Sequence, residues 1–137
     1  IEIISASPER FVRVNDGIIL SQPIKGTRKR GQNEIEDEQL SKELLESEKE
    51  RAENVMIVDL VRNDLRKCSL AGSVKVEELF GIYKFPQVLQ MISSISGVLE
   101  KPISWEKIIQ ACFPMGSMTG APKLSAMKII DQLEEHK

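Results

Sequence analysis

Histidine and cysteine are scarce in this chain, and their scarcity removes whole classes of chemistry. The one histidine, His136, stands next to the C-terminus, which excludes any mechanism that needs a central imidazole base. The two cysteines, Cys68 and Cys112, are far apart with no CxxC and no nearby histidine. Zinc and dithiol-motif readings therefore fail, and a reducing cytoplasm is the default compartment. Long hydrophobic runs are also missing: no apolar stretch approaches the roughly 20 residues needed to cross a bilayer, and no signal-peptide pattern opens the chain. No membrane partner is expected. Charge of one sign is not in excess either. A net charge of -2 and a pI near 5.6 give no basic face of the kind that neutralises nucleic-acid phosphates. The run Arg28-Lys29-Arg30 is short and reads as a solvated loop.

What remains is the composition of an ordinary globule, 137 residues with 41% hydrophobic and 29% charged, enough for one domain with a core of its own. The chain starts on Ile1 with strand-like sequence and stops at the end of a helical pattern without the usual cap. Both ends therefore read as those of a fragment.

Along the chain, Phe11 to Val14 and Ile18 to Leu20 are apolar runs separated by Asn15-Asp16-Gly17, a β-hairpin signal. The hairpin is expected to end at Lys25, with Glu9 and Lys25 nearly symmetric about its turn and so close in space. From Glu34 to about Lys67 the pattern is helical, amphipathic in its first half, with Glu38 four residues before Lys42. Val55-Met56-Ile57-Val58 followed by Leu60-Val61 reads as apolar all round and is expected to be buried. Asp59, Arg62 and Asp64 are expected to form structural ion pairs. Val74 and Val76, the aromatic run Phe80 to Phe85, and a long strand from Val88 to Leu99 follow. Leu89, Met91, Ile95 and Leu99 share the core face of that strand. Gln90, Ser94 and Ser96 share the other, which lines either a polar cavity or a solvent-facing sheet surface. Ser104 caps a short helix, and a last helix carries Leu124, Met127, Ile130 and Leu133 at core spacing.

Three places can carry chemistry. Lys25, in Pro23-Ile24-Lys25-Gly26-Thr27, is either a solvated surface amine or a desolvated nucleophile or base. Paired with it, the carboxylate of Glu9 is a surface partner or half of a proton-transfer couple. Glu53 enters the helix segment expected to be buried, where a carboxylate needs a cation, a metal or a proton. A salt bridge to a neighbour such as Arg51 is the alternative. Finally, Phe113-Pro114-Met115-Gly116-Ser117-Met118-Thr119-Gly120-Ala121-Pro122-Lys123 leads into a helix. Its glycines let backbone approach a ligand, and the helix-start amides with the hydroxyls of Ser117 and Thr119 suit a carboxylate or phosphate. The run is not a P-loop, because Ala121-Pro122 intervene where that motif has its lysine. It can also be simple punctuation.

In the order Ser7-Pro8-Glu9-Arg10-Phe11, Pro23 to Thr27, Ala52-Glu53-Asn54 to Asp64, and Gly116 to Lys123, these runs resemble the chorismate-utilising enzymes over essentially the whole chain. That family comprises anthranilate synthase and aminodeoxychorismate synthase components I, isochorismate synthase and salicylate synthase. Lysine in the Pro-Ile-x-Gly-Thr position is similar to the aminodeoxychorismate (para-aminobenzoate) branch, anthranilate synthases typically having alanine there. The resemblance implies an α+β fold, an antiparallel sheet with packed helices forming part of a larger α/β sandwich. It also implies displacement of the chorismate C4 hydroxyl by ammonia from a glutaminase partner. Lys25 would be the nucleophile, Glu9 the general acid and Glu53 a Mg²⁺ ligand, with Thr27, Gly116, Ser117, Thr119 and Gly120 in the substrate wall. Gln90 departs from the histidine many members carry. The family's N-terminal part and a C-terminal segment with a second metal-binding glutamate lie outside these 137 residues. The isolated chain is therefore expected to be inactive, and its uncovered sheet edge and apolar surface predict a homodimer. The rival readings are anthranilate or isochorismate synthase activity, which Lys25 disfavours, and a non-catalytic binding module.

Overall fold

The computed structural model describes residues 7–100 and 103–135. The strand-like start at Ile1 and His136 lie outside them.

The fold is α+β. β1 (Arg10–Asn15) and β2 (Ile18–Gln22) form the expected hairpin. Asp16 (φ 50°) and Gly17 (φ 78°) both occupy the left-handed region that a two-residue turn of this kind requires. The hairpin stops earlier than expected. Pro23, which has no N–H to give a ladder, ends β2 and is buried. Lys25 therefore belongs to a separate strand, β3 (Ile24–Lys29).

α1 (Glu34–Glu46) and α2 (Glu48–Arg66) replace the single helical stretch from Glu34 to about Lys67. Asn33 caps α1 by accepting from the Glu36 amide at 3.0 Å. Ser47 both ends α1 and caps α2, accepting from the Glu50 amide at 3.4 Å. The expected surface pair of Lys42 with Glu38 is replaced by Lys42 with Glu46, at 3.9 Å.

β4 (Lys75–Lys84) and β5 (Val88–Val98) complete one antiparallel sheet. β5 organises it: residues Ile95 to Val98 pair with β2, Val88 to Ile92 pair with β3, and Leu89 to Ser96 pair with β4. β2 and β3 thus follow one another along one edge of β5, and β4 runs along the other. The Ser93 amide donates to the Pro23 carbonyl at the junction, 3.2 Å.

One face of β5 meets the helices, as its alternation predicted. Ile95 and Leu99 pack with Ile57, Val58, Val61 and Leu65 of α2 and with Ile108 and Cys112 of α3 (Trp105–Cys112). Leu89 and Met91 pack with Leu44 of α1. The buried positions of α2 recur at 54, 57, 58, 61, 64 and 65, the stripe of a one-sided helix. Val55 and Met56, expected to be buried, are exposed, because α2 has the sheet on one side only.

Ser104 caps α3 as expected, accepting from the Lys107 amide at 3.4 Å. α4 (Gly116–Thr119) is a single turn, and α5 (Lys123–Leu133) follows from Pro122. No residue of α5 is buried, so Leu124, Met127, Ile130 and Leu133 do not join the core among the described residues. Helical spacing shows which face of a helix wants cover, and it is silent on what supplies it. No helix of the described residues is long and apolar enough to cross a membrane.

Candidate functional site

A narrow cleft of about 20 Å³, room for little more than one water molecule, lies where the start of β1, the C-terminal half of α2 and the turn before α4 meet. Its walls are Glu9, Phe11, Val12 and Ser21 from the hairpin, Val61, Asp64 and Leu65 from α2, and Cys112, Met115, Gly116 and Ser117 from the segment after α3. Residues from opposite ends of the sequence, Glu9, Gly116 and Ser117, are thus brought to one place. Glu9 and Ser117 are half-buried and Gly116 is buried. Space is tight at Gly116: a Cβ there would overlap the Leu60 side chain, which would have to shift.

The rest of the Gly116-to-Gly120 run turns inward on itself. The Met118 and Thr119 amides donate to the Met115 carbonyl and the Gly120 amide to the Gly116 carbonyl, at 3.1, 3.1 and 2.8 Å. The Thr119 hydroxyl donates to the Met115 carbonyl at 3.2 Å. Gly120, at φ 91°, ends the turn in the left-handed region. Neither Thr119 nor Gly120 lines the cleft. The first turn of α5 has no side-chain cap, which leaves its leading amides open to an acceptor.

Lys25 stands elsewhere in the sheet. The β3–β5 register slips between Ile24 and Thr27, so Lys25 and Gly26 form a bulge opposite β5. Gly26 has φ 90°, and a Cβ on it would meet Leu44 Cδ1 at 2.9 Å. Bulges re-aim side chains, and this one carries an amine that is half-buried with no salt bridge or side-chain hydrogen bond among the described residues. Continuing the Arg10–Gln22 pairing by one step sets Glu9 against Pro23, two residues short of Lys25. Lys25 is not among the cleft-lining residues. Thr27 is exposed and pairs with Gln90 of β5. Together Lys25, Thr27 and Gln90 form a second group on the β3–β5 strip.

Glu53 belongs to neither group. It is half-buried near the start of α2, and its ion pair is with Lys49 at 3.9 Å rather than with Arg51. Arg51 instead covers the Phe80 ring at 5.0 Å. The Lys49 contact is long and exposed, so the Glu53 carboxylate has little holding it. Among the described residues no three His, Cys, Asp or Glu side chains cluster as a metal site would need. Glu53 alone fits one ligand of a magnesium ion, which takes one or two carboxylates and otherwise water or substrate oxygens.

Several residues of this region escaped sequence reading. Asp64 does pair, as expected, but its partners are Lys67 and Lys123, each at 2.8 Å, while Asp59 pairs with Arg62 at 2.8 Å. Beneath the sheet, the Phe80 amide donates to Ser93 Oγ, which donates to the buried Asn54 Oδ1, at 3.1 and 2.6 Å. Cys68 and Cys112, distant in sequence, meet in the core beside Asp64. Hydrogen bonding between them, ahead of burial, pushes the Cys112 thiol up and pulls Cys68 down to about 7. Apart from the local Asp59–Arg62 and Asp64–Lys67 pairs, these contacts leave no short-range signal, because each joins residues far apart in the chain.

Over residues 1–137 the chain matches the family described as chorismate binding enzyme. It belongs to that family. The aminodeoxychorismate synthase component 1 of Escherichia coli is 47% identical over 135 residues, which is 98% of this chain and 30% of that protein. The chloroplastic anthranilate synthase alpha subunit 1 of Arabidopsis thaliana is 44% identical over 132 residues, 96% of this chain and 22% of that protein. The crystal structure of anthranilate synthase component I from Streptococcus pneumoniae superposes with a TM-score of 0.83 at 37% identity, covering 98% of this chain and 29% of that one. The chain thus spans between about a fifth and a third of the length of the curated relatives it matches. Among chorismate-binding enzymes, relatives named for two different products stand at nearly the same distance from it.

Proposed function

We propose that the full-length protein containing this chain is an aminodeoxychorismate synthase component I, which converts chorismate and ammonia into 4-amino-4-deoxychorismate and water. The observation that carries this reading is Lys25 in Pro23-Ile24-Lys25-Gly26-Thr27: a half-buried lysine with no salt bridge or side-chain hydrogen bond among the described residues, set in a bulge by a left-handed glycine. A lysine nitrogen not tied to a carboxylate is sterically free to reach a substrate and attack. In the proposed cycle the Lys25 nitrogen bonds to the ring as the C4–O bond breaks, and Glu9 protonates the departing oxygen so that water leaves. Ammonia then bonds at C4, the Lys25–ring bond breaks, and the amine is restored. Splitting one difficult displacement in two lowers each barrier. Gly116 and Ser117, in the cleft with Glu9, would hold a substrate carboxylate, with Thr119 and Gly120 shaping that turn and Thr27 beside Lys25.

Glu53 would supply one ligand to Mg²⁺, whose part is to neutralise and orient a substrate carboxylate. In the full-length protein, chorismate with Mg²⁺ should raise the thermal midpoint, and Glu53→Gln should remove the magnesium-dependent part of that rise. Equal protection in the variant would contradict the metal role. Ammonia is proposed to come from a glutamine amidotransferase partner, as expected of a component I.

Product identity tests the reading as a whole. With chorismate and ammonium the full-length protein should form aminodeoxychorismate, and Lys25→Ala should abolish it. Formation of anthranilate, unaffected by Lys25→Ala, would instead assign the protein to the anthranilate branch.

A further inference from the structure

Lys123 is largely enclosed beside the cleft, and its two contacts have no role in the chemistry above. Its side chain is 11% exposed and that of Asp64 5% exposed. The ammonium donates to Asp64 Oδ2 at 2.8 Å and to the Cys112 carbonyl at 3.1 Å. Cys112 ends α3, Lys123 starts α5, and Asp64 lies on α2. One side chain therefore fastens both ends of the segment 113–122, which carries Gly116 and Ser117, to the helix that forms the opposite wall of the cleft. α5 has no buried residue, so little else ties that end of the segment down.

Charge gives Lys123 a second task. Asp64 lines the same cleft as Glu9 and Ser117, and an uncompensated carboxylate there would repel an anionic substrate. Lys67 reaches Asp64 from the exposed side, whereas Lys123 reaches it from within. Buried ion pairs contribute little net stability against apolar replacements of similar volume, yet losing one partner leaves a costly unpaired charge. Fixing the position of the segment is the role this arrangement serves best.

We propose that Lys123 is a positioning residue that, through Asp64 and the Cys112 carbonyl, clamps the segment 113–122 against α2 and masks the Asp64 charge from a bound carboxylate. The proposal rests on the chorismate reading for its substrate and on the coordinates for its clamp. In the full-length protein, Lys123→Met should raise KM for chorismate by about tenfold, the size of one hydrogen-bonded contact, with kcat changed far less. Amide exchange should accelerate across residues 113–122 and stay unchanged in β5. The double variant Lys123→Met with Asp64→Asn should recover part of the lost affinity while exchange in the segment stays fast, which separates masking from clamping. Unchanged KM together with unchanged exchange over 113–122 would overturn the proposal. Should Lys123→Met fail to fold, Lys123→Arg decides by the same two readouts, since its longer planar head cannot keep both contacts. Wild-type values in both would overturn the clamp. If the wild-type protein does not consume chorismate, the proposed function fails while the exchange measurement still judges the clamp.

Discussion

A single methyl group distinguishes what Gly116 does from what glycines are usually credited with. Its neighbour is the Leu60 side chain, with Cδ2 2.4 Å and Cγ 2.9 Å from where a Cβ would stand. Gly116→Ala should therefore cost about 1–3 kcal/mol by overpacking, read as a lower denaturant midpoint, and Leu60→Ala in the same chain should return part of it. An unchanged midpoint in Gly116→Ala would show that Leu60 swings away freely. That contact was illegible in the sequence, where the glycine pair suggested only backbone approach to a ligand. Lys25 was singled out by its neighbours in the chain, and the structure adds the reason for its setting: Gly26 supplies the left-handed residue on which the bulge turns.

Between elements, the tie that fixes α1 to the sheet is Asp37. Arg30, just beyond β3, donates through Nε to Asp37 Oδ2 at 2.7 Å and through Nη2 to the same oxygen, and the Gly31 amide donates to Oδ1 at 2.7 Å. Arg30 also donates to the Phe85 carbonyl at 2.8 Å, which brings in the end of β4. The Arg30 hydrogen bond, ahead of the Gly31 amide, holds the Asp37 carboxyl below the ordinary carboxylate range. A lowered native value means the stabilisation is complete above the unfolded pKa of about 3.9 and is lost as pH falls through the native one. Asp37→Asn should lower the unfolding midpoint at pH 7 and lose less than wild type between about pH 5 and about pH 2. Parallel loss in both would contradict this. Element boundaries were partly readable. The hairpin followed from Asp16-Gly17, and Pro23 marks the β2–β3 break by the chemistry of its missing N–H. The α1–α2 break carries the Ser47-x-x-Glu50 capping spacing, but a continuous run of charged helix-forming residues crosses it and concealed the joint.

On the scale of the whole molecule, the order of motifs specified the family and the α+β fold, because the four runs occur in sequence on one chain. The division of the site into a Glu9–Gly116–Ser117 cleft and a Lys25–Thr27–Gln90 strip was not readable, since it depends on β5 pairing with β2 and β3 in succession. The face of α5 on which Leu124 and Leu133 are each 75% exposed, together with the edges of β1 and β4 that pair with no further strand among the described residues, leads us to expect that the 137-residue chain self-associates. Sedimentation should show a dimer that forms with rising concentration, and a monomer throughout would contradict it. The central claim, that a lysine amine on β3 performs covalent chemistry on chorismate, is tested most directly by mass. Full-length protein quenched during turnover with chorismate and digested should yield the peptide containing Lys25 with the added mass of the dehydrated ring, and product release should remove it. Steady product formation with that peptide unmodified at every time point would contradict the account.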